Sequence, residues 1–188
     1  MATEIELKAH VRNSDELRLT LSGKAEYLYS FEKKDCYWLA ENSDLPSSGL
    51  RVRSEKRILP DGREVFLCLA TYKNKEVRDE IEINEEREFS VEPPFEFEEF
   101  LRKLWLRPVR SKEKRGWAFS KTGITAELVE VKTLGWFVEL EILTHTTNEE
   151  TFAQGKKRLL DFLAEIDVAK DAIESRLYSE MLYEAASE

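Results

Sequence analysis

The stretch EIELKAH, residues 4–10, runs acid, apolar, acid, apolar, base. On an extended strand successive side chains point to opposite faces, so Glu4, Glu6 and Lys8 share one face and Ile5, Leu7 and Ala9 the other. The same division recurs along the chain. In LRVRSE (50–55), Arg51 and Arg53 oppose Leu50 and Val52. In EVRDEIEI (76–83), read as one alternating arm, Arg78, Glu80 and Glu82 oppose Val77, Ile81 and Ile83. In WFVELEIL (136–143), Glu139 and Glu141 oppose Val138, Leu140 and Ile142. One such strand describes an open antiparallel sheet with its charged side in water. Repeated strands whose polar positions are nearly all full charges of both signs point instead to a charged face that is enclosed.

The helices support that reading. Residues 11–23 form a short helix with Ser14 as its N-cap candidate and Gly23 at its end, and FEFEEFLRKLW (95–105) carries an apolar stripe of Phe97, Phe100, Leu101 and Leu104. Asn148 caps a long amphipathic helix to about Ile166, and 171–186 makes a second C-terminal helix. Turn signals stand at ENSDLPSSG (41–49), Pro60-Asp61-Gly62, Pro93-Pro94, Lys121-Thr122-Gly123 and Leu134-Gly135. Helices packed outside a curled sheet would cover its apolar face and leave the charged face lining a barrel or tunnel. Such a lumen must be wet, because a buried unpaired ion costs about 3–5 kcal/mol. Its bases suit phosphate oxygens, and its carboxylates suit a hard divalent cation such as Mg2+ or Mn2+. Together they describe a metal-bound polyphosphate.

The chain has 188 residues and reads as one domain, 1–188, that includes the C-terminal helices 148–188. Its formal charge of -9 disfavours nucleic acid and anionic membrane as partners, so any anion site is local. The two cysteines, Cys36 and Cys68, read as free thiols. No leader opens the chain and no apolar run approaches the ~18 residues of a membrane span, which gives the expectation of a soluble, cytoplasmic protein. His10 continues the Glu4 face and reads as a solvated strand end. Lys75 shares parity with Lys73 and is either a phosphate contact or a loop charge. The acidic run from Glu85 to Glu99 reads as a solvated loop and helix start.

Glu4-x-Glu6-x-Lys8 resembles the ExExK signature of the CYTH superfamily, the triphosphate tunnel metalloenzymes. That superfamily includes class IV adenylyl cyclases, thiamine triphosphatases and inorganic tripolyphosphatases. The resemblance continues in order through KKDCYW (33–38), LRVR (50–53), TYKNK (71–75), VRDEIEI (77–83), KEKRGW (112–117), LGWFVELEI (134–142) and IESRLYSEML (173–182). LGWFVELE is most similar to the class IV cyclase branch. The resemblance implies an α+β fold: a closed eight-stranded antiparallel β-barrel, a tunnel with a charged interior and helices packed outside.

It also implies a site. Lys8, Arg51, Arg53, Lys73, Arg78, Lys112 and Lys114 match phosphate-binding bases, with Lys8, Arg51 and Arg53 expected to be catalytic. Glu4, Glu6, Glu139 and Glu141 match the acids that hold Mg2+ or Mn2+, while Glu80 and Glu82 fall where relatives often carry acids. The implied partner is a small-molecule triphosphate: tripolyphosphate, thiamine triphosphate or ATP. The implied reaction is its hydrolysis, or conversion of ATP to cyclic AMP. One departure from the pattern stands out. Val129 occupies the position of an expected Asp metal ligand, with Glu127 on the same face as a substitute if the strand shifts. A non-catalytic polyphosphate- or nucleotide-binding module with a degraded metal site is therefore the alternative. A helix at each end could support a homodimer.

Overall fold

The computed structural model describes residues 2–40, 48–92, 94–145 and 148–186, so Pro93 and most of the insert expected at 41–49 lie outside the described residues. The strands are β1 (Ala2–His10), β2 (Glu26–Ala40), β3 (Ser48–Ile58), β4 (Glu64–Arg78), β5 (Ile81–Ser90), β6 (Leu106–Lys121), β7 (Ile124–Val131) and β8 (Gly135–Thr144). They close into one antiparallel barrel in the order β1-β5-β4-β3-β2-β6-β7-β8, with β8 returning to β1. The expected closed eight-stranded α+β barrel is thus the observed fold.

Register decides which side chains look inward. Glu6 pairs with Glu82 on β5 and with Glu141 on β8, and Lys8 pairs with Glu139. Arg51 pairs with Tyr37 and Thr71, and Arg53 with Asp35 and Leu69. These positions form one continuous inner face. The opposite face of β1, Ile5, Leu7 and Ala9, is buried against Leu17 and Leu21 of α1 (Ser14–Lys24) and against Leu159, Phe162 and Leu163 of α3 (Glu149–Glu165). The main hydrophobic core therefore lies outside the barrel, between its wall and two helices. A second outer cluster joins Trp38, Val52, Cys68 and Ala70 to Leu101 of α2 (Pro94–Lys103).

Local chemistry sets the boundaries. Asn148 caps α3 by accepting a hydrogen bond from the Thr151 N–H at 2.8 Å. The cap of α1 is Asn13 rather than Ser14, its side chain accepting from the Glu16 N–H at 3.3 Å. Thr122 and Gly123 adopt positive φ in the two-residue turn between β6 and β7.

The arm expected over 76–83 is not one strand. Asp79 and Glu80 both have positive φ and make the hairpin turn from β4 to β5, with Arg78 paired to Ile81. A two-residue turn of this type reverses the chain, so side-chain parity does not carry across it. Glu82 looks inward with Lys75, whereas Arg78 lies on the outer wall, bonded to Glu76 and to Glu149 of α3.

The expected C-terminal helix, 171–186, is also shorter. A 3-10 turn at Lys170–Ala172 leads into an extended segment that bridges Ala9 through Ile173, followed by α4 (Tyr178–Ala185). Tyr178 and Met181 of α4 pack against inward-facing Phe31, Ala118, Val129, Val131 and Phe137. The C-terminal segment thus plugs one end of the barrel with an apolar floor.

Candidate functional site

The lumen is a network of ion pairs. On β4, Lys73 reaches Glu4 at 3.1 Å, Glu6 at 3.9 Å and also Glu86. On β3, Arg51 donates to Thr71 at 3.0 Å and to Glu88 at 3.3 Å. Next to it, Arg53 grips Asp35 through two hydrogen bonds, 2.6 and 3.0 Å, and Lys112 stands 3.3 Å from the same carboxylate. Lys114 donates to both oxygens of Glu139 at 2.6 and 2.9 Å. Lys33 does the same to Glu127 at 2.5 and 2.8 Å. Lys8 and Lys75 share Glu82.

The expected bases Lys8, Arg51, Arg53, Lys73, Lys112 and Lys114 are therefore brought together with the expected acids Glu4, Glu6, Glu139 and Glu141. Arg78 is the exception. It sits on the outside for the parity reason given above, 36% exposed and stacked over Phe152.

Residues beyond those expected also belong to the lumen: Lys33, Asp35, Glu55, Glu86 and Tyr178; Lys75, for which the sequence allows a phosphate contact or a loop charge, faces the lumen and pairs with Glu82. Glu86 lies within the run read as solvated loop, yet it is on β5 and faces Lys73. Tyr178 carries three ammonium groups near its ring, Lys8, Lys112 and Lys114, at 5.4, 5.3 and 4.7 Å from the centroid.

Charge is unevenly shared. Glu141 has acids for neighbours: burial, then Glu4, Glu6 and Glu127, push it up to about 9. Burial also lifts Glu4 to about 7; Lys73 opposes the shift, while Glu86 and Glu6 add to it. Elsewhere bases prevail. Against its burial, Arg53 and Lys112 hold Asp35 well below the usual carboxylate range. Against its own burial, Lys75 and Lys8 hold Glu82 at about 2.

This distribution tests the fit to a cation. An excess of carboxylate around Glu4, Glu6 and Glu141 supplies hard oxygen donors and unneutralised charge, which suits Mg2+ or Mn2+. Among the described residues no three acids stand ready together at metal-holding separations, and the Lys73 ammonium supplies positive charge beside Glu4 and Glu6. Among the buried polar atoms without a hydrogen-bond partner are Arg51 Nε, a donor, and Asn84 Oδ1, an acceptor beside Glu6. The first is an unpartnered donor of the kind a phosphate oxygen would fill, and the second an unpartnered acceptor of the kind a hydrated cation would fill.

Val129 faces inward but belongs to the apolar floor with Phe31 and Phe137. Glu127, two residues earlier on β7, reaches the lumen without any shift of the strand.

A family model described as CYTH domain matches residues 2–178. No curated protein sequence matches the chain. Among solved structures, the PH1012 protein from Pyrococcus horikoshii OT3 is 27% identical, with TM-score 0.75 over 94% of this chain and 98% of that one. A candidate adenylate cyclase from Vibrio parahaemolyticus is 19% identical, with TM-score 0.79 over 96% and 97%. HpAC1 from Hippeastrum, described as having a dominant triphosphatase activity, is 18% identical, with TM-score 0.66 over 94% and 91%. Among the described residues no helix is long and apolar enough to cross a membrane.

Proposed function

Because the chain belongs to the CYTH domain family, we propose that it is a divalent-metal-dependent enzyme acting on triphosphates, with hydrolysis of the phosphoanhydride as its reaction. The observation that carries this reading is the plugged barrel itself, whose inner wall sets a row of bases beside a crowd of under-neutralised acids. The activity described for HpAC1 supports hydrolysis over cyclisation.

In this reading the chain works by positioning and charge. Lys8, Arg51, Lys73, Lys112 and Lys114 bind the phosphate chain, and Arg51 offers it the unpartnered Nε. Arg53 is held by Asp35 and contributes a fixed charge rather than a free hand. Glu4, Glu6 and Glu141 would hold the cation, with Glu127 near them. A bound Mg2+ or Mn2+ supplies neutralisation of the charge that develops on the transferring phosphoryl group. The floor of Phe31, Val129, Phe137 and Met181 excludes water from the closed end.

The alternative is a binding module that keeps the bases without turnover. It is favoured by the lack of a ready-made acid triad among the described residues. One assay separates them: pure protein with tripolyphosphate, thiamine triphosphate or ATP, each with Mg2+ and Mn2+, monitored for phosphate and cyclic AMP. Metal-dependent phosphate release is the expected result, and cyclic AMP would reassign the reaction to cyclisation. Tight tripolyphosphate binding with no turnover in either metal would establish the module, and the absence of both binding and turnover would end the triphosphate reading.

A further inference from the structure

We propose that Tyr178 is a positioning residue of this lumen, its ring gathering the ammonium groups of Lys8, Lys112 and Lys114 into one anion-receiving set at the closed end. The inference rests on the reading of the lumen as a triphosphate site, and it makes the C-terminal segment part of that site rather than only its stopper.

Lys112 and Lys114 are neighbours on the inner face of β6, and Lys8 comes from β1. Three like charges near one point repel one another, so something must hold them together when no anion is present. The face of an aromatic ring attracts cations within about 6 Å of its centroid, and all three ammonium nitrogens lie inside that limit around Tyr178. Each also keeps one carboxylate: Glu82 for Lys8, Asp35 for Lys112 and Glu139 for Lys114.

The ring is placed by the strands whose lysines it serves. Ile173 bridges Ala9, and the Glu174 N–H donates to the Lys8 carbonyl at 2.9 Å, tying the segment to β1. The Glu174 carboxylate also meets His10 Nε2 at 3.1 Å. Arg110, on β6, donates to the Ser179 carbonyl at 2.8 Å. Phe137 packs edge-on against the ring, 5.1 Å between centroids at 85°, which fixes its tilt. Ordinary plugging would need only bulk, and Met181 and Val129 supply it on the same floor. The Tyr178 side chain is buried, and its hydroxyl lies beside the Glu139 carboxylate that Lys114 also holds. All three ammonium groups meet the ring, so the ring is the part that gathers them, and removing the hydroxyl alone leaves it in place.

The test compares the full chain with Tyr178→Leu, which keeps bulk and removes the ring, and with Tyr178→Phe, which keeps the ring. The first readout needs no ligand: the rates at which Lys8, Lys112 and Lys114 are acetylated, followed by mass spectrometry. Leucine is expected to raise these rates several-fold, and phenylalanine to restore them. In the second, leucine raises KM for tripolyphosphate roughly tenfold with a smaller change in kcat, and weakens its metal-free calorimetric binding alike, while phenylalanine rescues both. Tyr178→Leu protein that is folded by circular dichroism, with unchanged labelling and unchanged KM, would overturn the proposal. So would a phenylalanine variant as impaired as the leucine one. Wild-type protein that neither binds nor hydrolyses tripolyphosphate would end the triphosphate reading instead, and the labelling comparison would still decide whether the ring gathers the lysines.

Discussion

Replacing Asp35 with Asn separates the structural duty of Arg53 from its functional one. Asp35 is fully buried, accepts two hydrogen bonds from Arg53 and stands 3.3 Å from Lys112. The amide keeps the size of the carboxylate but withdraws the charge that offsets a buried guanidinium. Removing one partner of a buried pair costs about 3–5 kcal/mol. A melting entropy of ~2.1 cal/mol/K per residue gives about 0.4 kcal/mol/K for this chain, so the midpoint should fall by roughly 8–12 °C. Calorimetry at pH 7 measures it. The deficit should persist in high salt, because a buried pair is weakly screened. It should shrink in acid: a carboxylate held low contributes its stability above the ordinary value of about 3.9, and loses it as the pH falls toward the depressed native value. The double change Asp35→Leu with Arg53→Met removes the guanidinium along with its carboxylate but leaves Lys112 without its counter-charge, so it should regain only part of the lost midpoint while leaving tripolyphosphate binding weakened. A fall of less than ~3 °C in Asp35→Asn, the scale of an exposed pair, would refute the reasoning.

Glu82, held at about 2 between Lys75 and Lys8, contributes on the order of 3 kcal/mol above about pH 4.5, lost as the pH falls toward 2; urea unfolding of Glu82→Gln should give a flatter acid limb than wild type, and parallel curves would contradict this. At Gly116 an added Cβ would stand 2.0 Å from the Leu128 carbonyl oxygen, which is backbone of the next strand, whereas at Gly155 it would meet the movable tip of Ile5 at 2.7 Å. Gly116→Ala should therefore cost ~3 kcal/mol or more and Gly155→Ala about 1, and equal losses in denaturant titrations would count against the barrel register. In metal-free buffer Glu141→Gln should stabilise the protein at pH 7 by up to about 3 kcal/mol, because an acid raised to about 9 by burial and its acidic neighbours weighs against folding increasingly as the pH climbs past its ordinary value. The gain should vanish below about pH 4, and a lower melting point at pH 7 would be the contrary result.

The closed barrel was legible because β1, β3 and β8 change character sharply from one face to the other, with helices supplying the apolar surface that the outer face needs. Asn148 was legible because a cap needs only a local side-chain acceptor. Arg78 was misread for an equally physical reason. Asp79 and Glu80 are charged residues on either side of a reversal, so the sequence continues to alternate in polarity while the chain turns back. The hidden lumen residues share a different cause. At Glu32-Lys33-Lys34-Asp35 the inner face carries Lys33 and Asp35 while the outer face carries exposed Glu32 and Lys34. The same holds on β6, where Lys112 and Lys114 look inward while Glu113 and Arg115 face solvent, so that only the family resemblance, not the alternation, picks the two lysines out. Alternation reveals a face only when the two faces meet different environments. Along this sector the outer wall carries charged side chains in water, so both sides of the strand are polar and the period-two signal disappears. The bases that should meet a phosphate chain are thus hardest to read where the wall around them is least covered, and register, fixed by pairing with strands distant in sequence, is what recovers them.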